Sequence, residues 1–544
     1  MDEEVIGAMP IQILEDSAKM VYDEHLPFVL FVSVNNGSHL PTMSRIAKEM
    51  ALRGFARVSV ASNDEARPKV REAGLDFVSA GPTPDVSYEE TIVFNPRASP
   101  FKVLSALQSF WGKFNGVIFE ALEERWSSSL MNANLNNGGK DAGGPPDFLV
   151  CNSLTTACHD LAELFQLPYA TITAHPIGIL GLASSFDVHM AHYLPMEFTV
   201  FSRSIKTMGW FERVVSPLGK QLLQLPFRSD LLLLGERNAL RARHGLPPVS
   251  KWLAATRTKA IPSGKALTII GQSWALDYPA PLPPFMQMVG PIVEEAGTGS
   301  DSPSTLEPKL RAWLDQALEA SATVVYCSFS TAVVLDSADA ERVVKVASRL
   351  PASFRLLWSL RDHEAALDGL GPLPANLRLE EHIAQAEVLA HPAVGVFWSH
   401  MGTGGTYESV LAGVPLLAMP FYADQSANAR HAVDRGVALE VDPRDFGASD
   451  AVRKLVELTG DPSFSARARK LGRLVRHEGG ARRAVDLLHT AIEEGSEHLV
   501  PELYRLPRMQ HHGLDIWVTW IAFALMGTVI LLRLRRCKQI ERDV

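Results

Sequence analysis

Cysteine is scarce in this chain, with Cys151, Cys158, Cys327 and Cys537 as its four copies, and their spacings match no zinc site. Asp-x-Asp triplets are missing altogether, which fits chemistry that does without a divalent metal. Basic residues are not in excess. The 52 Lys and Arg against 61 Asp and Glu leave a net charge of −9, so the chain carries no global footprint for nucleic acid. The N-terminus, from Met1-Asp-Glu-Glu to Asp23-Glu24, is acidic and lacks the apolar stretch of a signal peptide. Uncharged apolar runs of membrane length are rare too, but Ile516 to Leu532 is one, with 17 residues, Trp517 and Trp520 near one end, and Arg533, Arg535, Arg536 and Lys538 beyond it. A run this short can be a buried core helix, yet the terminal position and flanking charge favour a membrane anchor.

What is present is enough apolar material, 47% of 544 residues, for two cores of ordinary domain size. The richest stretch is 382 to 436. Val394-Gly-Val-Phe-Trp398 reads as a parallel strand covered on both faces. Ser399 to Gly405 follows with three glycines, then a helix expected to start near Tyr407 with Thr406 as cap and Gly413 before Pro415 as its end. A helix N-terminus offers unpaired N–H donors and partial positive charge, so a diphosphate is a natural occupant. Glycine-rich turns of this kind also serve plain packing, and the surrounding polar residues decide between the two. Glu408 lies where a carboxylate can accept two ribose hydroxyls, and Asp424-Gln425 follows the apolar run Leu416 to Met419 at a strand's carboxyl edge.

The segments His382-Ile-Ala-Gln385, His391-Pro392, His400-Met-Gly402-Thr-Gly404-Gly405, Glu408, Gly413-Val-Pro415 and Asp424-Gln425-Ser-Ala-Asn428 resemble the donor-binding signature of the UDP-glycosyltransferases. The resemblance implies that Gln385 contacts the uracil, with His382 in place of the family's stacking tryptophan. It implies that His400 meets the diphosphate, that Gly402, Thr403, Gly404 and Gly405 form the phosphate turn, and that Glu408 holds the ribose. Asp424 and Gln425 would hold sugar hydroxyls. Gly404 and Gly405 replace the usual Asn and Ser, so backbone N–H groups would have to hold the phosphates there. Thr323 to Thr331 resembles the strand and turn that open the family's C-terminal domain, which puts Thr331 at the donor edge.

The N-terminal half begins with the strand-like Pro27 to Val34, then Asn35-Asn-Gly37-Ser38-His39, an amphipathic helix through Met43, Ile46, Ala47 and Met50, and a second strand at Arg57 to Ala61. In this βαβ unit His39 matches the family's general base, a task suited to an imidazole with a pKa near ~6.5. The family's partnering aspartate position reads Asn152, with Asp160 and Asp147 as possible substitutes. Leu104, Leu107, Trp111, Phe114, Ile118 and Leu122 form a helical stripe that reads as core, and Phe186 to Phe227 as an aromatic acceptor region.

The expected fold is α/β, with two Rossmann-like domains facing each other in the GT-B architecture and a C-terminal transmembrane helix. The expected boundaries are an acceptor domain at 27–275, a linker at 276–319, a nucleotide-sugar domain at 320–505, an anchor at 514–534 and a basic tail at 535–544. The resemblance implies an inverting, metal-independent transfer of a hexose from a UDP-sugar to a hydroxyl of a small lipophilic acceptor such as a sterol, lipid, phenol or xenobiotic. No cofactor beyond the donor is expected; glucose is favoured over glucuronate. The acidic N-terminus, and a sequon at Asn36-Gly-Ser38 beside His39, put the catalytic part on the cytosolic side of an endoplasmic reticulum membrane. The alternative is a catalytically weakened relative that binds a nucleotide sugar or lipid as a sensor or subunit.

Overall fold

The computed structural model describes residues 26–35, 37, 39–85, 100–135, 143–176, 235–248, 267–295, 306–329, 337–360, 367, 369–381, 383–421, 424–501 and 514–540. Two parallel sheets organise them. The first is built from β1 (Phe28–Val32), β2 (Arg57–Ser62), β3 (Asp76–Ser79), β4 (Phe148–Asn152), β5 (Tyr169–Thr173), β6 (Thr268–Ile270) and β7 (Met286–Met288), in the order β3-β2-β1-β4-β5-β6-β7. The second contains β8 (Thr323–Ser328), β9 (Phe354–Ser359), β10 (Leu377–Glu380), β11 (Val394–Ser399), β12 (Leu416–Ala418) and β13 (Ala438–Glu440), in the order β10-β9-β8-β11-β12-β13.

The strands are parallel because helices cover both faces, and their sequences show it. Val29 to Val32, Phe148 to Asn152 and Val396 to Ser399 are buried continuously rather than in alternation. In α1 (His39–Arg53), Leu40, Met43, Ile46, Ala47 and Met50 recur at helical spacing and close one face of the first core. Along α2 (Pro100–Leu135), Phe114, Ile118 and Leu122 are buried in the core on the other face, as the stripe predicts.

The order of each sheet reverses once: β1 lies beside β4, and β8 beside β11. Such switch points open a crevice at the strands' carboxyl ends, where ligands bind. His39 follows β1 and Asn152 ends β4, whereas His400 to Gly405 follows β11. Both motif clusters therefore sit at switch points.

Two departures from the expected boundaries concern how the domains are joined. Residues 276–319, expected as a linker, contain β7 of the first sheet and a helix, Pro308–Glu319, whose Leu310 and Leu314 belong to a core of the second domain. The closing helix α7 (Ala481–Glu493) returns to the first domain. Its Ala484, Val485, Leu488 and Ala491 pack in the same core as Met43 and Met50 of α1. The C-terminal helix α8 (Leu514–Ile540) contains an 18-residue segment, Ile516–Arg533, long and apolar enough to cross a membrane, and none of that segment is buried. A core helix would be covered.

Candidate active site

The loop after β4 is held from several sides. Leu154 N–H donates to Asn152 Oδ1 at 3.0 Å, Thr155 N–H donates to the Asn152 carbonyl at 2.9 Å, and Val34 N–H after β1 donates to Thr155 Oγ1 at 3.1 Å. Asn115 of α2 donates to the Leu154 carbonyl at 3.2 Å and accepts from Ala157 N–H at 2.9 Å. A disulfide joins Cys151 on β4 to Cys158 on α3 (Thr156–Leu164), with the Cα atoms 5.6 Å apart. This brace puts Asn152 Nδ2 3.3 Å from His39 Nδ1.

Around His39 stand Trp111, edge-on with ring centroids 6.2 Å apart, and His175, at 5.6 Å. Desolvation, with a smaller contribution from His175, lowers the His39 pKa to about 3. His175 is lowered as well by burial, against an opposing pull from Asp424 of the other domain, and its Nε2 is buried without a hydrogen-bond partner. The two candidate carboxylate substitutes are engaged elsewhere. Asp160 accepts from Arg237 at 2.9 and 2.6 Å and pairs with Arg241, while Asp147 accepts from Phe28 N–H at 2.8 Å.

On the donor side the helix begins earlier than expected. Gly402 is the N-cap of α5 (Thr403–Ala412), so Thr403, Gly404 and Gly405 form its first turn rather than a loop before it. Thr406 is not a cap, since its hydroxyl donates back to the Gly402 carbonyl at 2.9 Å. The end is as expected, with Gly413 left-handed at φ 75°. The N–H groups of the first turn have no partner within the helix and point out of its end. Met401, just before, has φ 66°, a costly conformation for a residue with a side chain. It is held by Ser399 Oγ accepting from its N–H at 3.0 Å and by Asn428 Nδ2 donating to its carbonyl at 2.9 Å.

The predicted donor residues gather about this helix end. Gln385, at the start of α4 (Gln385–Ala390), donates from Nε2 to Glu408 Oε2 at 2.6 Å, while Tyr326 of β8 donates its hydroxyl proton to Gln385 Oε1 at 3.2 Å. Burial raises the Glu408 pKa, and the Gln385 bond opposes it. The His400 Nδ1 lies 3.4 Å from the Ser328 carbonyl and can only donate there. Burial lowers the His400 pKa to about 4, against that bond and Asp424. A Cβ on Gly402 would meet His400 Nε2 at 2.4 Å, and one on Gly405 would meet Gln385 Nε2 at 3.1 Å; at Gly404 nothing lies within 4 Å. Asp424 caps α6 (Gln425–Asp434) and accepts from Thr403 Oγ1 at 2.8 Å and Asn428 Nδ2 at 3.1 Å. Gln425 is buried, its Oε1 accepting from Phe421 N–H at 2.8 Å. Thr331, His382 and the aromatic region from Phe186 to Phe227 lie outside the described residues.

Other contacts, invisible in the motif, join the two halves. The Tyr407 hydroxyl donates to Gln272 Oε1 at 2.8 Å and accepts from Ser273 N–H at 2.9 Å, and Gln272 Nε2 donates to the Ala174 carbonyl beside His175. The N-terminal half of α5 is thus fixed against the loops after β5 and β6. His175, Gln272 and Tyr407 have no local sequence signal; only the folded chain gives them a role.

Two parallel-sheet domains, with an open helix N-terminus at one switch point and a histidine at the other, form the GT-B arrangement. Solved structures agree on the fold: the glycotransferase of kitacinnamycin aligns with a TM-score of 0.59 at 20% identity over 86% of this chain and 99% of that one. The glycosyltransferase VinC in complex with dTDP gives 0.54 at 17% identity, over 86% and 100%. The family model described as UDP-glucoronosyl and UDP-glucosyl transferase matches residues 29–543. Among relatives, UDP-glucuronosyltransferase 2B9 of Macaca fascicularis is 24% identical over 519 residues, 92% of this chain and 90% of the relative. UDP-glucuronosyltransferase 2B7 of Homo sapiens is 26% identical over 400 residues, 72% and 69% respectively. The chain belongs to the UDP-glucuronosyl and UDP-glucosyl transferase family and is a UDP-glycosyltransferase.

Proposed function

We propose that this enzyme moves a neutral hexose, glucose first, from its UDP donor to a small lipophilic acceptor, by a single inverting displacement that uses no metal or other cofactor. The observation that carries the donor reading is the Gln385–Glu408 pair beside the open first turn of α5. Gln385 and Glu408 would take the uracil and ribose, and the N–H groups of Thr403, Gly404 and Gly405 with His400 the diphosphate. The sugar would then lie near Asp424, between that helix and His39. A fixed carboxylate, Asp424, beside a His175 that burial keeps neutral favours an uncharged sugar over glucuronate. The acceptor's nucleophilic oxygen would meet the anomeric carbon next to His39, within the apolar surround of Trp111.

The exposed apolar helix α8 supports attachment to a membrane, and two features favour the catalytic part on an oxidising, luminal side, in place of the cytosolic expectation. One is the Cys151–Cys158 disulfide. The other is the basic residues at and just after the end of the span, Arg533, Arg535 and Arg536, which suit a cytosolic tail. Competition between UDP-glucose and UDP-glucuronate for the solubilised enzyme tests the donor reading. Glucose transfer in preference is the expected outcome, and glucuronate preference would contradict the role given to Asp424.

The weakened-relative reading draws on an amide where the resemblance implies a carboxylate beside His39, and on Gly404 and Gly405 in place of side-chain phosphate donors. That amide has a more specific consequence.

A further inference from the structure

Asn152 has two polar ends, and the structure assigns each. Its Oδ1 accepts from Leu154 N–H at 3.0 Å. Turning the amide over would set its NH2 group against that N–H, donor facing donor, and Leu154 cannot move aside because Asn115 and Thr155 hold the loop. Nδ2, a donor only, therefore faces His39 Nδ1 at 3.3 Å. A neutral imidazole that accepts at Nδ1 carries its proton on Nε2. An aspartate in the same place would keep the Leu154 bond with one oxygen and accept from Nδ1–H with the other, leaving Nε2 free to take a proton.

We propose that Asn152 is a positioning residue that holds His39 as its Nε2–H tautomer, so that His39 faces the acceptor as a hydrogen-bond donor and selects acceptors that arrive already ionised, carboxylic acids and acidic phenols. This rests on the transferase reading above and narrows its acceptor. For such an acceptor the step balances without a base. A carboxylate or phenolate oxygen lone pair forms the bond to the anomeric carbon, the bond from that carbon to the diphosphate oxygen breaks, and UDP leaves with the electron pair. Nε2–H hydrogen-bonds the incoming anion and orients it. A neutral alcohol must lose its proton to Nε2, which in this tautomer has no lone pair, so the ring would first have to exchange its proton and face Asn152 donor to donor. Trp111 and His175 are the other described rings against His39, and neither offers a carboxylate that would reverse the preference.

The test has two readouts on the full-length, detergent-solubilised enzyme. Histidine-selective 15N spectra of the wild type and of Asn152→Asp, with His39→Gln to assign the signal, report which ring nitrogen is protonated. Initial rates with UDP-glucose compare an aryl carboxylic acid and an acidic phenol with a primary alcohol of similar apolar bulk. The wild type is expected to show His39 protonated at Nε2 and to use the ionised acceptors about 100-fold or more faster than the alcohol, the usual worth of a general base. Asn152→Asp is expected to move the proton to Nδ1 and raise the alcohol rate by a similar factor, with little change for the carboxylate. Protonation at Nδ1 in the wild type, or equal acceleration of both acceptor classes by Asn152→Asp, would overturn the proposal. Turnover with neither class in either protein would instead sink the transferase reading, and the nitrogen spectrum would then decide the tautomer by itself.

Discussion

Glu408 and His400 show how far single residues could be read from sequence. The spacing of the motif placed His400 correctly in the turn after β11, because a strand, a sharp turn and a helix leave few alternatives for a polar residue there, whereas Glu408, expected on the first turn, lies in the second turn of α5 because the helix begins at Thr403. Their protonation was not legible, since it depends on burial and on partners such as Ser328 and Gln385. Removing the Glu408 carboxylate strands the Gln385 amide, so Glu408→Ala should weaken UDP binding by roughly 10- to 100-fold, the worth of a charged hydrogen bond. Calorimetric titration with UDP measures this directly. For His400 the sign follows from linkage: its pKa is about 4 without an anion, and a diphosphate against the ring would raise it. Donor binding should therefore take up a proton, and affinity for a UDP-sugar should rise as pH falls from 7 towards 5. Titrations in two buffers of different ionisation heat detect the uptake, and a pH-independent affinity would remove His400 from the diphosphate site.

At the scale of elements, the strands and α1 were legible because their apolar runs have to be covered. The start of α5 was not. Glycines are poor helix formers and read locally as a loop, yet the helix begins at Thr403; a Cβ would run into His400 at Gly402 and press on Gln385 at Gly405, and would meet nothing at Gly404. This ranks the glycines. Gly402→Ala should displace His400 and cost donor affinity, whereas Gly404→Ala should leave the fold intact and stabilise it by up to about 1 kcal/mol. Thermal melts paired with UDP titrations distinguish the two. The Cys151–Cys158 bridge was also beyond the sequence reading, because only the turn from β4 into α3 brings the two sulfurs together. Replacing both with serine should cost about 2–3 kcal/mol by the loop-closure argument and loosen Asn152 as well. Denaturant melts of the double variant read the first effect, and a change in acceptor preference the second.

For the whole molecule, hydrophobic patterning foretold two α/β domains and an apolar C-terminal helix, and the switch points explain why residues from distant parts of the chain converge. How the domains interlock lay outside that pattern. The return of α7 to the first core and the Tyr407–Gln272 contact exist only between folded halves. With the Ile516–Arg533 segment of α8 unburied, deletion of residues 514–544 should release the protein from membranes while UDP binding persists. Flotation of vesicles reads the first, and titration the second.

The most direct test of the account is acceptor-dependent release of UDP from UDP-glucose by the full-length enzyme, offered a mixture of lipophilic carboxylic acids, phenols and alcohols, beside Glu408→Ala and His39→Ala. Release that requires an acceptor and is reduced in both variants is the predicted result. UDP bound tightly but released from no donor with any acceptor would contradict it and leave a nucleotide-sugar-binding protein in its place.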